Sequence, residues 1–228
     1  MKGIIQASII TSLLVAMTSI QAESIEISGN VTLTSDYSFR GWSQTSRDPA
    51  IQGGFDIEFE EGFSIGTWAS NVNFGASTTM EWDLYAGYSS SINEDVSWSV
   101  TVIRFEYPSE GDAFDYMEFG ASISYGDATA GIMFSQEYLG DGGPAFQYPY
   151  ADYSYAVNED VTLDLHIGMS VVDTDHFFGV GEDSYIDYSA TITTPFNGID
   201  VSAGLVGTTL DDDPATENRF ILSFSKSL

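Results

Sequence analysis

Ile25-Glu26-Ile27-Ser28-Gly29-Asn30-Val31-Thr32-Leu33 carries an apolar residue or glycine at every odd position and a polar residue at every even one. Successive side chains of an extended strand point to opposite faces, so this parity sorts the stretch into one greasy face and one wet face. Ile51-Gln52-Gly53-Gly54-Phe55-Asp56-Ile57-Glu58-Phe59-Glu60 does the same, with Phe and Ile opposed to Gln52, Asp56, Glu58 and Glu60. Carboxylates facing lipid are costly. The pattern therefore suits a strand with lipid on one side and an aqueous lumen on the other.

The rhythm continues at 63–72, 80–89, 96–104, 114–125, 128–137, 148–157, 161–170, 184–194, 199–207 and 217–228, which makes twelve strands with the first two. Their lengths are close to the roughly 9 to 11 residues of a tilted membrane-spanning strand, and their number is even. Short turns rich in Gly, Asn, Asp and Pro (60–62, 90–95, 126–127, 158–160, 195–198) alternate with long polar links (35–50, 73–79, 105–113, 138–147, 172–183, 208–216). In an outer-membrane barrel the short turns face the periplasm and the long links the outside. The closing run Arg219 to Leu228, with Phe220, Leu222, Phe224 and Leu228 on one face, resembles the terminal strand read by barrel-assembly machinery, although the usual last residue is Phe. A soluble β-sandwich also alternates polar and apolar residues. The long and short links, the strand lengths and the aromatics at strand ends favour the barrel.

Residues 1–22 read as a secretory signal peptide: Lys2, an apolar run from Ile4 to Met17, and Ala22 at the expected cleavage point. The run is shorter than the roughly 20 residues of a spanning helix, and no basic cluster follows it. Residues 23–228 then form one barrel domain. With no cysteine, disulfide frameworks, thiolate metal sites and cysteine nucleophiles are excluded. The net charge of −28 becomes −29 once Lys2 leaves, since Lys+Arg falls from 6 to 5 against 34 acids, and such a chain repels nucleic acid. A composition 43% hydrophobic and 14% aromatic excludes disorder as the meaning of that acidity.

Between the first two strands stands Asp36-Tyr37-Ser38-Phe39-Arg40-Gly41-Trp42-Ser43-Gln44-Thr45, then Pro49-Ala50-Ile51-Gln52-Gly53-Gly54, with Ser70-Asn71-Val72 as a further echo. This resembles the signature of the TorF family of porin-like outer-membrane proteins (Gcw_chp), once an uncharacterised proteobacterial family; Trp42 stands where a small aliphatic residue is usual. The resemblance implies an outer-membrane barrel and a transport role, with no known substrate. It singles out Asp36, Tyr37, Phe39, Arg40, Gly41, Ser43, Gln44, Pro49, Gln52 and Gly53. A loop folding inward would pair Arg40 with a lumen carboxylate such as Asp56 or Glu58, with Gly41 permitting the bend. Alternatively, Tyr37, Phe39 and Trp42 are interface aromatics and Arg40 a surface cation near lipid headgroups.

Strand parity assigns Asp56, Glu58, Glu60, Glu81, Asp83, Glu118, Glu137, Asp152, Asp164, Asp187 and Asp200 to the lumen, with Arg219 and Lys226 as the main inward cations. An acidic lumen favours cations. An enzyme would need a nucleophile and base; His166 and His176 are the available bases, with Ser170 four residues from His166 on the same strand face. Strand residues four apart lie roughly 13 Å from each other, too far to interact, and no Gly-x-Ser-x-Gly elbow occurs. Asp211-Asp212-Asp213, Asp173 with Asp175, and Glu182-Asp183 lack the spaced ligands of a calcium loop, and Gly140 to Pro144 lacks the Lys and helix of a phosphate loop. No cofactor, metal site or catalytic residue is expected. The reading is an all-β, up-and-down transmembrane barrel of about twelve strands, inserted in outer-membrane lipid and passing small cationic or neutral solutes. A non-conducting barrel whose acidic loops bind a surface partner or divalent cations is the alternative.

Overall fold

The structure, a computed structural model, describes residues 25–75, 77–110, 113–179, 182–210 and 213–228. The signal-peptide reading of 1–22 and the acids Asp211 and Asp212 lie outside these residues. The strands are β1 (Glu26–Thr34), β2 (Ser38–Phe39), β3 (Trp42–Ser43), β4 (Ala50–Phe59), β5 (Phe63–Asn71), β6 (Met80–Ser91), β7 (Val96–Glu106), β8 (Tyr116–Tyr125), β9 (Ala128–Ser135), β10 (Phe146–Ala156), β11 (Thr162–Val172), β12 (Ser184–Phe196), β13 (Ile199–Thr208) and β14 (Arg219–Ser227). Among the described residues, β1 and β4 to β14 form a closed antiparallel barrel of twelve strands, each paired with its sequence neighbours, and β14 returns to β1 to seal the ring. Closure gives every strand two partners, so the sheet has no free edge and its backbone groups are satisfied without water.

The two faces are inverted relative to a soluble β-sandwich. Apolar side chains stand outward and exposed, among them Phe55 (61% exposed), Phe220 (83%), Leu33, Ile123 and Ile167, spread around the ring from β1 to β14. Polar side chains of the opposite parity meet inside, where Thr32 pairs with Ser225, Ser99 with Ser122, Ser124 with Thr129 and Thr193 with Ser202. Exposed apolar surface on this scale is stable only against lipid.

The short turns are built by local chemistry. Asn93-Glu94-Asp95-Val96 and Asn158-Glu159-Asp160-Val161 are the same tetrapeptide used twice. In each, the Asn Oδ1 accepts from the amides two and three residues on, at 2.9 to 3.1 Å. Gly62 (φ 86°) turns the chain from β4 to β5 so close to Ser89 that a Cβ would lie 2.1 Å from its carbonyl oxygen.

Several expectations shift. The link 35–50 contains the small hairpin β2–β3. Glu60 and Glu137 are not on strands, because β4 stops at Phe59 and β9 at Ser135. Glu137 is exposed beyond that end, where the chain turns through Leu139 (φ 62°) and Gly140 (φ 113°). Lys226 is an outward residue: it shares parity with Phe220, Leu222 and Phe224, sits opposite Val31 and donates to the Gly198 carbonyl at 2.7 Å, where a long side chain can reach a turn from the barrel wall.

Candidate functional site: the occluded loop end of the lumen

The link between β1 and β4 folds into the barrel mouth. Thr34 and Ala50 are register partners, so both ends of the segment leave from the same rung, and everything between them must either rise into solvent or turn inward. Asp36 decides for the second course. Buried at the rim, it accepts from Ser43 Oγ at 2.6 Å, from Thr45 Oγ1 at 2.8 Å and from the Arg219 guanidinium of β14, which joins both limbs of the loop to the wall. Arg219 also donates to the Gly41 carbonyl at 2.9 Å and to Ser38 Oγ at 3.0 Å.

From this anchor two side chains reach across the lumen. Tyr37 donates to Glu81 Oε1 at 2.6 Å, and Tyr107 donates to the other oxygen at 2.7 Å. Arg40 meets Glu118 as a two-pronged pair, Nη1 to Oε1 at 2.7 Å and Nη2 to Oε2 at 2.5 Å, with the carboxylate fully buried and the arginine 7% exposed. The guanidinium lies 4.5 Å from the Phe39 ring centre, 4.7 Å from Phe146, 4.3 Å from Tyr148 and 6.0 Å from Tyr138, within the range of cation–π attraction. The Tyr185 hydroxyl donates to the Arg40 carbonyl at 3.0 Å. Arg40 holds a left-handed backbone (φ 49°), as do Gly41 (82°), Ser46 (54°) and Arg47 (66°), a conformation that side-chain-bearing residues adopt only when contacts compensate.

Electrostatics in the loops follow from this burial. Desolvation acts to lower the Arg40 pKa, and the adjoining Glu118 carboxylate more than offsets it, holding the guanidinium well above its usual value. Burial, reinforced by the charge of Glu81, raises the Tyr37 and Tyr107 hydroxyls well above the usual range. Burial likewise pushes Tyr138 up to about 12, against the opposing charge of Arg40.

The lumen thus has two halves. At the loop end Ile103, Phe105, Tyr116, Tyr138 and Phe146 pack with the docked segment. Tyr138 stacks on Phe146 at 3.9 Å and Phe105 on Tyr116 at 4.5 Å. At the short-turn end the inward side chains are half-buried or exposed: Asp56, which accepts from Tyr85 at 2.6 Å, Glu58, Asp152, Asp164 with Ser154, and Asp200. None of the five Lys and Arg among the described residues opens onto that half. Arg40 and Arg219 hold the docked loop, Arg47 pairs with Glu217 at the exposed rim, and Arg104, opposite Leu84 and Met117, stands with Lys226 on outward parity.

The structure therefore separates the sequence candidates. Glu81, Asp83, Glu118 and Asp187 point inward but are sealed from water, while Asp56, Glu58 and Asp164 meet it. Arg40 pairs with Glu118 rather than with Asp56 or Glu58, because the loop enters at the rim and those two acids lie lower in β4; nor is Arg40 a surface cation. Phe39 packs edge-on to Phe105, and Tyr37 edge-on to the inward Trp68. Gln44 closes the loop through its amide to the Tyr37 carbonyl at 2.7 Å, Pro49 accepts from Asn71, Gln52 donates to Ser70, and Gly53 sits in β4 opposite Val31. His166 contacts Asp152 at 2.6 Å, Tyr148 at 2.7 Å and Asp187 at 3.1 Å, and Ser170 is not among its partners. Asp173 and Asp213 accept from the Ala145 and Ala215 amides. The turn at Gly140 to Pro144, with Tyr138 N bonded to the Pro144 carbonyl, directs Tyr138 onto Phe146. The aromatic wall was not singled out in the sequence, yet Tyr116-x-Glu118, Tyr150-x-Asp152, Tyr185-x-Asp187 and Asp83-x-Tyr85 set ring and acid on the same parity, which was a readable signal.

Among solved structures the fold is similar to a KdgM porin, with a TM-score of 0.55 at 8% identity over 88% of this chain and 99% of that one. It is similar also to a NanC porin in a rhombohedral crystal form, with a TM-score of 0.56 at 10% identity over 88% of this chain and 98% of that one. No curated protein matches the chain. At such identities the likeness speaks for the fold alone. A family model described as a bacterial protein of unknown function (Gcw_chp) matches residues 19–227, and the chain belongs to that family.

Proposed function

We propose that the protein is a small porin of the bacterial outer membrane, captured with its loop end closed. The observation that carries the reading is the barrel's two faces: an exterior of mostly exposed apolar side chains around a lumen whose short-turn half is polar and wet. Twelve strands stand between the eight that side chains can fill and the sixteen or more that leave a wide channel, so the path is narrow. Water-facing carboxylates without a facing Lys or Arg make it select small cationic or neutral solutes over anions. Export by residues 1–22 and insertion by assembly machinery that reads the last strand belong to the same reading. Passage requires the 35–49 segment to leave the mouth.

In a planar bilayer under a potassium chloride gradient, the refolded protein gives a reversal potential of cation sign. Anion preference contradicts the acidic-lumen argument. The packed loop end favours one other reading, a barrel that never conducts and uses its acidic loops to bind a partner or divalent cations. Silence at all voltages, in the parent and in variants with the loop released, supports it.

A further inference from the structure

The box that holds Arg40 has the chemistry that suits a guanidinium group, and the protein's own side chain occupies it. Glu118 offers both oxygens in the fork geometry that an ammonium cannot match, and Phe146 and Tyr148 of the barrel wall present ring faces to the ion. These groups belong to strands β8 and β10, so the box stays assembled when the loop that carries Arg40 withdraws.

The charges around the box exceed the one cation inside it. Arg219 is already committed to Asp36. Glu81, Asp83, Glu118 and Asp187 are all at most 2% exposed, and among the described residues Arg40 meets Glu118 and His166 meets Asp187, which leaves the acids in excess of the basic groups that face them. Asp187 Oδ1 is shared by the Tyr148 hydroxyl and His166 Nε2, both at 3.1 Å, and its buried Oδ2 finds no hydrogen-bond partner among the described residues; the same is true of Asp83 Oδ1. Buried carboxylate oxygens without partners are costly, and they mark places where a ligand's donors improve the site. Below the box, Tyr148, Tyr150 and His166 stack toward the accessible half of the lumen, which provides an approach.

We infer that the closed lumen is opened by solutes bearing a guanidinium, above all those with a second cationic group. They displace Arg40 from Glu118 and the aromatic box, while Asp187 receives the second charge. The inference rests on the porin reading for the term solute, but the site stands or falls on binding alone. It makes Arg40 a tethered competitor that keeps the mouth shut until its free counterpart is abundant.

The probe is agmatine, a small guanidinium dication, with putrescine as the diamine control at equal ionic strength. Calorimetry on the refolded full-length barrel is expected to show saturable agmatine binding at concentrations at least about tenfold below those for putrescine. Arg40→Lys, which keeps the charge but not the fork, should release more readily and bind agmatine more tightly than the parent. Glu118→Gln should abolish the difference between the two probes. Because that variant leaves Arg40 unpaired, Arg40→Met/Glu118→Gln is measured against Arg40→Met as a second comparison, and agmatine should favour the single variant. Equal binding of agmatine and putrescine, or binding that survives loss of Glu118, overturns the proposal. Bilayer currents recorded on the same samples keep the two readings apart. Current without agmatine preference refutes the receptor and leaves the porin; agmatine binding without current refutes the porin and leaves the receptor.

Discussion

Gly41→Ala isolates what the docked loop depends on. Gly41 has φ 82°, and a Cβ there would lie 2.2 Å from Thr208 Cγ2, 3.0 Å from Asp187 Cβ and 3.2 Å from the Gly207 carbonyl oxygen. Thr208 cannot turn aside freely, because its hydroxyl donates to the Thr216 carbonyl at 3.3 Å and accepts from the Leu210 amide at 3.1 Å. A left-handed backbone costs a Cβ-bearing residue about 1–2 kcal/mol, and forcing a methyl into a packed site costs about 1–3 kcal/mol. The docked state therefore loses about 2–5 kcal/mol relative to the undocked one, an increase of about thirtyfold to several thousandfold in the undocked population. The chain contains no cysteine, so one introduced thiol is an unambiguous reporter. Ser43→Cys is nearly isosteric at a buried loop position, and the weakening of its hydrogen bond to Asp36 is common to both variants and cancels in their comparison. With a charged, membrane-impermeant thiol reagent, Ser43→Cys alone should react slowly and Ser43→Cys/Gly41→Ala faster by a factor in that range, while the barrel's β-sheet circular dichroism is unchanged. An unchanged labelling rate would refute the reasoning that the loop is seated against β12 and β13 through this glycine.

Glu118→Gln strands the Arg40 charge in an aromatic box and should destabilise the docked state by about 3–5 kcal/mol, whereas Arg40→Met/Glu118→Leu should come close to neutral; thermal unfolding in detergent with the same thiol readout compares them. Alkali should open the mouth. The Tyr37, Tyr107 and Tyr138 hydroxyls are raised in the folded protein, so the stabilisation they give is complete below the unfolded tyrosine value of about 10 and is lost as pH rises toward their folded values, about 12 for Tyr138. Labelling per thiolate should accordingly be flat from pH 7 to about 10 and climb above it, and a rise in acid instead contradicts the assignment. On the outer wall, Leu222→Arg should cost about 2–4 kcal/mol of folding into lipid vesicles if it sits near the bilayer midplane, and Ser223→Arg, one residue on and facing the lumen, much less; equal costs would mean that the faces are misassigned.

The fold was legible because parity in strands such as Ile25 to Leu33 and Ile51 to Glu60 is a strictly local property that lipid and lumen enforce on each strand separately. Glu137 and Glu60 escaped that logic because the alternation runs a residue or two past the last ladder bond, where parity no longer dictates direction. Lys226 was counted inward with Arg219 under strand parity, although its even number shares parity with Phe220 and Phe224 and so places it outward. The partner of Arg40 was not legible at all. Glu118 is 78 residues away in sequence, and the choice among inward carboxylates depends on how deep the loop enters, which is fixed by the Asp36 contacts to Ser43, Thr45 and Arg219. The aromatic wall was half-legible: the rings share the acids' parity, but aromatics at strand ends are read first as a membrane girdle, and only the docked loop shows what they enclose.

Single-channel recording of a loop-shortened barrel separates a channel closed from within by residues 35–49 from a barrel that never conducts. Since Thr34 and Ala50 face each other in the ladder, residues 37–47 can be replaced by a short Gly-Ser turn without disturbing the ring. Brief or rare currents are expected from the parent and long, cation-selective openings from the shortened barrel. A shortened barrel that folds, inserts and stays silent at every voltage would contradict it.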